Sequence, residues 1–251
     1  MAVVIGIVSQ KGGVGKSTIA RLLAREYASA GWQAKIGDLD IAQGTSFSWQ
    51  ARRLRNAVKP VVPVERFGAV EQALRVADHY DLLVLDGPPH SSAGTLRIAQ
   101  ASELVVLPTG LALDDLEPSV LLGQELVQKG VPADKLAFAF CRIGDSEAEL
   151  AEARGYVSQA GFRVVQEAMP ERVAYRRAFD QGRSATETPF PSLNQRADAM
   201  AQSIIKLINR KGKGKANANG KDWASTEAKH QGPSAHNERA KSRQSGASGA
   251  R

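Results

Sequence analysis

Cysteine is nearly absent from this sequence: Cys141 is the only one in 251 residues. No intramolecular disulfide can form, which fits a reducing compartment. Aromatic side chains are scarce too, at 6%, so a core has to be built from aliphatic residues, and the 43% hydrophobic share is enough for one. No apolar run approaches the roughly 20 residues of a membrane-spanning helix. The first residues lack the basic, apolar and small-residue order of a secretory signal. No internal repeat is visible. An excess of one charge is also missing from most of the chain. The net charge is +7, but residues 210–251 hold ten of the 33 Lys/Arg and three of the 26 acids, leaving 23 of each sign in residues 1–209. The basic isoelectric point, near 9.6, therefore belongs to the C-terminal stretch, and any anion-binding patch on the rest has to be local.

What is present is a glycine-rich loop, Lys11-Gly12-Gly13-Val14-Gly15-Lys16-Ser17-Thr18. An apolar run, Val3 to Val8, leads into it, and a helical pattern from Thr18 to Ala30 follows. Strand, glycine turn and helix are the context of a phosphate-binding loop. Glycines let successive backbone N–H groups turn inward on an anion, and the helix N-terminus adds partial positive charge. Lys16 is placed to reach the β- and γ-phosphates, Ser17 to sit on Mg²⁺, and Thr18 to lie near the α-phosphate. The general spacing G-x-x-x-x-G-K-[ST] is not quite met. The loop reads K-G-G-x-G-K-[ST], with a second lysine, Lys11, at its front. Downstream, Asp38-Leu39-Asp40 puts two carboxylates on the same side of an extended segment. The buried-strand pattern Leu82-Leu83-Val84-Leu85 delivers Asp86 at its end, which suits an acid that holds water on Mg²⁺.

The loop resembles the deviant Walker-A motif of the ParA/MinD family of ATPases, which includes plasmid and chromosome partition proteins. The resemblance covers residues 1–209. It implies ATP and Mg²⁺ as cofactors and a homodimer that sandwiches two ATP molecules, with Lys11 crossing to the nucleotide of the other subunit. It assigns Gly12, Gly13, Val14, Gly15, Lys16, Ser17 and Thr18 to the nucleotide, Ser17, Asp38 and Asp86 to the metal shell, and Asp40 to the attacking water. Lys11, Lys16 and Asp40 are then the catalytic set. Asp86-Gly87-Pro88-Pro89 resembles the family's D-x-P-P switch. Met169, Pro170 and Glu171 fall in the loop that wraps adenine, whereas Cys141 stands where the family usually has an asparagine that contacts the base. Arg172, Arg176, Arg177 and Arg183 form a basic cluster where partition ATPases bind DNA without sequence preference, although an arginine-rich helix face is also common on ordinary surfaces.

The alternation of strand and helix patterns predicts a largely parallel sheet flanked by helices, in one domain over residues 1–209. Helices are expected at 18–30, 48–57, 68–78, 114–129, 146–160, 172–179 and 192–209. Strands are expected at 3–8, 34–36, 61–62, 82–86, 104–108, 136–140 and 164–165. Residues 210–251, rich in Gly, Ala, Asn, Ser and Lys, read as a disordered basic tail. No helix-turn-helix domain is expected before the first strand, in which the chain resembles the short partition ATPases. The expected function is ATP-driven DNA partition: the dimer binds nucleoid DNA in the cytoplasm, and a ParB-type centromere-bound partner stimulates hydrolysis and release. Two alternatives are a MinD-like ATPase on a membrane and an ATP-switched adaptor for another cargo or for plasmid transfer. The first needs an amphipathic C-terminal helix with bulky apolar residues, which residues 204–210 offer only faintly, so no membrane partner is expected.

Overall fold

The computed structural model describes residues 2–89 and 92–209. The segment at 210–251, read above as a basic tail, lies outside the described residues. In chain order the elements are β1 (Val3–Ile7), α1 (Lys16–Ser29), β2 (Ala34–Asp38), α2 (Thr45–Arg55), β3 (Val64–Arg66), α3 (Val70–Arg75), β4 (Leu82–Asp86), α4 (Ser92–Ala101), β5 (Leu104–Thr109), α5 (Leu113–Gln128), β6 (Leu136–Ile143), α6 (Glu147–Gln159), β7 (Arg163–Val164), β8 (Met169–Pro170), α7 (Val173–Asp180) and α8 (Pro191–Asn209). Short 3₁₀ turns cover Ala77–His79, Ala133–Lys135 and Ala185–Glu187.

The strands are parallel, in the order β3-β2-β4-β1-β5-β6-β7. Parallel pairing needs crossovers, and the crossovers cover both faces, which is why β1, β2 and β4 are buried throughout. Alternate residues feed separate cores. Val3, Ile5 and Ile7 join Leu82 and Val84 beneath α1 and α8, with Leu22, Leu23, Met200 and Ile204. Val4 and Val8 join Leu83 and Leu85 on the other face, with Ile98, Leu116 and Leu126. Each buried aliphatic side chain of this kind contributes about 1.5–3 kcal/mol. The result is a three-layer α/β domain, the class the alternation predicts.

Two local expectations are corrected. The strand expected at Val61-Val62 is not formed; β3 lies at Val64–Arg66, paired Ile36↔Val64 and Asp38↔Arg66 with β2. Val62 is fully buried all the same. Helix α4, between β4 and β5, was not anticipated. On the far edge the eight-residue β6 outruns β7, and its last residues pair with β8 through Cys141↔Met169 and Ile143↔Pro170. That extra pairing draws residues 169–171 toward the C-terminal ends of the strands, where ligands of open α/β sheets bind.

Candidate active site

The glycine loop runs from β1 into α1 at the C-terminal edge of the sheet. Gly15, immediately before α1, is left-handed at φ 111°, and a Cβ there would stand 3.0 Å from the Cys141 Cβ. Only glycine satisfies both the turn and the close approach. A cleft of about 280 Å³ opens between this loop and the 169–172 segment, and Asp40, Gly87 and Cys141 are also on its wall.

Lys16 is 8% exposed, and its Nζ donates to the Lys11 carbonyl at 2.9 Å. Burial lowers its pKa, with Asp86 and Asp40 opposing. Lys11 is engaged within its own subunit: Nζ lies 2.8 Å from Asp115 Oδ1 on α5. Ser17 and Thr18 line the cleft, while Val14 is buried beneath the loop.

The acids divide by their partners. Asp38 is fully buried; Oδ1 accepts from the Asp40 N–H at 3.2 Å and Oδ2 from the Phe47 N–H at 3.0 Å. Its carboxylate thus shapes the turn between β2 and α2, and burial raises its pKa. Asp40 reaches the cleft, and its Oδ1 accepts from the Gln43 N–H at 3.1 Å. Asp86 Oδ2 accepts from Ser46 Oγ at 2.7 Å, whereas its buried Oδ1 has no partner among the described residues. Burial pushes the Asp86 carboxyl up to about 6, against hydrogen bonds from Ser46 and Ser17 and the Arg21 charge, with Asp38 adding to the rise. An orphaned buried carboxylate oxygen across from a serine hydroxyl suits a hydrated magnesium ion. Among the described residues no group of three or more His, Cys, Asp or Glu could hold a metal by itself. Magnesium does not need one, because it is usually held by one or two carboxylates, waters and substrate phosphates. The residues present fit Mg²⁺ bound together with a nucleotide.

At the other end, Met169 and Pro170 are buried and Glu171 is half-buried. The Arg142 guanidinium joins the two walls: Nη1 donates to the Gly13 carbonyl at 2.9 Å and Nε to Glu171 Oε2 at 2.9 Å. Arg142 does this from a left-handed backbone, φ 58°, uncommon for a residue with a side chain. Burial pushes the Cys141 thiol up to about 12.

The four clustered arginines separate. Arg172 pairs with Asp145, and Arg176 lies 3.6 Å from Glu171 Oε1; both line the cleft at the glycine loop. Arg177 and Arg183 are exposed, without an ion pair among the described residues. With Val173 and Phe190, each just over half exposed, they line a second groove of about 820 Å³.

Sequence reasoning missed Arg21 and Ser46. Arg21 is 4% exposed and lies against Ser46, whose Oγ holds Asp86. One signal was available: Arg21 is four residues after Ser17, hence one turn deeper on the same helix face.

Residues 5–229 match the family model of the CobQ/CobB/MinD/ParA nucleotide binding domain. The chain belongs to this family. A stretch of 114 residues, 45% of the chain, is 34% identical to the maintenance of carboxysome distribution protein A of Gloeobacter kilaueensis. A second stretch, 41% of the chain, is 35% identical to the chromosome-partitioning ATPase Soj of Thermus thermophilus. The chain spans about half the length of these curated relatives, 51% and 53%. Among solved structures, the septum site-determining protein MinD of Pyrococcus horikoshii, complexed with Mg-ADP, superimposes with a TM-score of 0.66 at 18% identity, over 85% of this chain and all of that one. pNOB8 ParA bound to nonspecific DNA gives 0.61 at 13% identity, over 84% of this chain and all of that one. At these identities the likeness is one of fold. Among the described residues no helix is long and apolar enough to cross a membrane.

Proposed function

We propose that this protein is a partition-type ATPase that binds Mg-ATP in the cleft at the glycine loop, dimerises, and holds DNA without sequence preference until a partner stimulates hydrolysis. The observation that carries the reading is the convergence on one cleft of Lys16, Ser17, Thr18 and Asp40, with the Asp86 carboxylate held by Ser46 at the end of β4. Lys16 exchanges the Lys11 carbonyl for phosphate oxygens and stabilises the charge that develops on the transferred phosphoryl group. Asp40 orients the attacking water. Ser17 and Asp86, with Asp38 behind the turn, hold Mg²⁺, which neutralises phosphate charge when bound. Met169, Pro170 and Glu171 form the base end of the cleft. Lys11 leaves Asp115 to add its charge at the partner subunit's nucleotide. Arg177 and Arg183, exposed and without an ion pair among the described residues, are the arginines of the cluster best suited to phosphate backbones, whereas Arg172 and Arg176 already have carboxylate partners. The protein works in the cytoplasm, on the nucleoid. Likeness to a carboxysome distribution protein supports a second reading, in which the same switch positions a cargo other than DNA.

Binding to nonspecific duplex DNA, measured with ATP, with ADP and without nucleotide at two salt concentrations, tests the proposal. The full chain and a chain ending at Asn209 are compared, with liposome flotation alongside. ATP-dependent, salt-sensitive binding that survives truncation is the expected outcome. Binding indifferent to nucleotide and lost on truncation would reduce the DNA affinity to a basic tail. ATP-dependent flotation without DNA binding would overturn the reading in favour of a membrane switch. Asp40→Ala is expected to lower ATP turnover by about 10²-fold or more while nucleotide affinity stays within a few-fold, as a residue acting on the water alone requires.

A further inference from the structure

We infer that Arg21 is a positioning residue that acts as a resident counter-ion for the acidic end of the cleft, partly offsetting the charge of Asp86 and Asp38 while no divalent cation is bound and setting how much Mg²⁺ the site demands. The inference rests on the reading of Asp86 as a residue of the metal end. Arg21 projects from α1 one turn below Ser17 and is 4% exposed. Its Nε lies 3.4 Å from Ser46 Oγ, and that hydroxyl donates to Asp86 Oδ2 at 2.7 Å. Three elements, α1, α2 and β4, thus meet at one serine. The guanidinium carbon lies 5.8 Å from the centroid of Trp49, with Arg53 at 5.2 Å from the same ring. The Trp49 ring fixes where the charge sits.

Two open positions remain in this small volume. Among the described residues, Arg21 Nη2 is buried without an acceptor and Asp86 Oδ1 is buried without a donor. The neighbouring Arg53 spends its donors on the Pro60 and Gly182 carbonyls and on the Glu187 carboxylate. Arg21 instead withholds one donor beside two buried acids. A guanidinium cannot shed its charge as a lysine or histidine can, so it is a constant +1 at this end of the cleft. Burying Asp38 and Asp86 with no cation nearby would be strongly unfavourable. Counting Lys16 and Asp40, whose charges act at the same end, with Asp38 and Asp86, the net charge is −1 with Arg21 and −2 without it. The same charge that stabilises the empty site repels an incoming divalent ion, so Arg21 trades apo-state stability against metal affinity.

The test compares wild type with Arg21→Met, which keeps an unbranched apolar stem over Trp49, and with Arg21→Lys, which keeps the charge. The first arm uses full-length protein without nucleotide and follows the thermal midpoint with and without millimolar Mg²⁺. Wild type is expected not to respond. Arg21→Met is expected to melt lower and to recover in Mg²⁺, because the ion replaces the lost counter-ion. Arg21→Lys is expected to stay close to wild type. A lowered midpoint that Mg²⁺ does not restore, or a lysine variant as sensitive to Mg²⁺ as the methionine variant, would overturn the inference. The second arm titrates Mg²⁺ into protein with a fluorescent ADP analogue. Half-saturation is expected to fall at least about fivefold in Arg21→Met and to stay unchanged in Arg21→Lys, since only the charge differs at the ion. An unchanged half-saturation in Arg21→Met also overturns the inference. If wild type binds no analogue, the nucleotide reading fails, and the first arm still decides the role of Arg21.

Discussion

At the residue scale the loop is decided by single backbone angles and single contacts. Gly15→Ala would add a methyl at a left-handed position, 3.0 Å from the Cys141 Cβ and 3.2 Å from its Sγ. The expected outcome is a loss of about 1–3 kcal/mol in a urea titration, with nucleotide binding abolished. Gly12→Ala is the control: a Cβ at Gly12 meets nothing within 4 Å, and its φ is not left-handed. Its stability should remain within about 0.5 kcal/mol of wild type. Cys141 gives a second prediction. Buried, with its thiol pushed up to about 12, it is neutral at pH 8 and should react with a thiol reagent only when the protein is unfolded. The spacing of the loop made Lys11 through Thr18 legible in the sequence, because few other arrangements need three glycines between two lysines. Asp38, Asp40 and Asp86 were legible from their places at strand ends. Arg21 was not, because an arginine in an amphipathic helix reads as a solvated residue. Only the three-dimensional placement of Ser46 and Asp86 turns it inward. Nor could the sequence divide the four arginines, since Asp145, the partner of Arg172, lies on a separate segment, and Glu171, adjacent to Arg172, faces Arg176 only in the folded chain.

At the element scale α2 is the busiest junction. Its Trp49 lies between Arg21 and Arg53, and Trp49 Nε1 donates to the Arg183 carbonyl at 2.9 Å. Arg53 pairs with Glu187 through both guanidinium nitrogens, at 2.7 and 2.9 Å, and Glu187 also accepts from the Ser184 N–H at 2.6 Å and from Arg25 Nε at 3.2 Å. The chain passes so close here that a Cβ on Gly182 would fall 2.2 Å from the Arg53 nitrogen. Burial alone would raise the Glu187 pKa, but the hydrogen bonds from Arg53 and Ser184 and the charges of Arg53 and Arg25 outweigh it and hold the carboxyl below its ordinary value. A depressed carboxyl contributes stability that is fully present above its unfolded pKa, near 4.5, and lost as the pH falls through its folded one. Glu187→Gln should therefore cost about 3–5 kcal/mol at pH 7, since it leaves Arg53 buried and unpaired. The gap to wild type should narrow below pH 4.5 in denaturant titrations. A gap independent of pH would show that shape, not charge, is what Glu187 supplies. The order of helices and strands was largely legible from periodicity. The edges were less so. Val61-Val62 has strand-like composition, yet pairing with β2 selects Val64–Arg66, and Val62 is buried without pairing. Helix α4, with Gly94 and Thr95 in its first turns, carries too weak an apolar stripe to stand out before it packs on the sheet.

At the scale of the whole molecule the question is where an anionic polymer can be held. Residues 1–209 are neutral in sum, so a long-range field cannot do it, and a patch has to be made from charges without partners nearby. In this part of the surface those are Arg177 and Arg183. Each Lys or Arg that neutralises a DNA phosphate contributes about 0.9 to the slope of log affinity against log salt. The double variant Arg177→Ala/Arg183→Ala, in a chain ending at Asn209 and loaded with ATP, should lower that slope by about 1.8 if both arginines meet phosphates. Arg172→Ala should leave the slope unchanged, because its charge is already spent on Asp145. The variants are read by fluorescence anisotropy of a labelled duplex at several salt concentrations, with circular dichroism to confirm folding. Equal losses from all four arginines would mean that the carboxylate pairs open when DNA arrives. In that case Arg176, through Glu171 and Arg142 to the Gly13 carbonyl, would connect the DNA surface to the nucleotide loop. An unchanged slope in the double variant would move the DNA surface away from α7 altogether, and leave the groove beside Phe190 free for a protein partner.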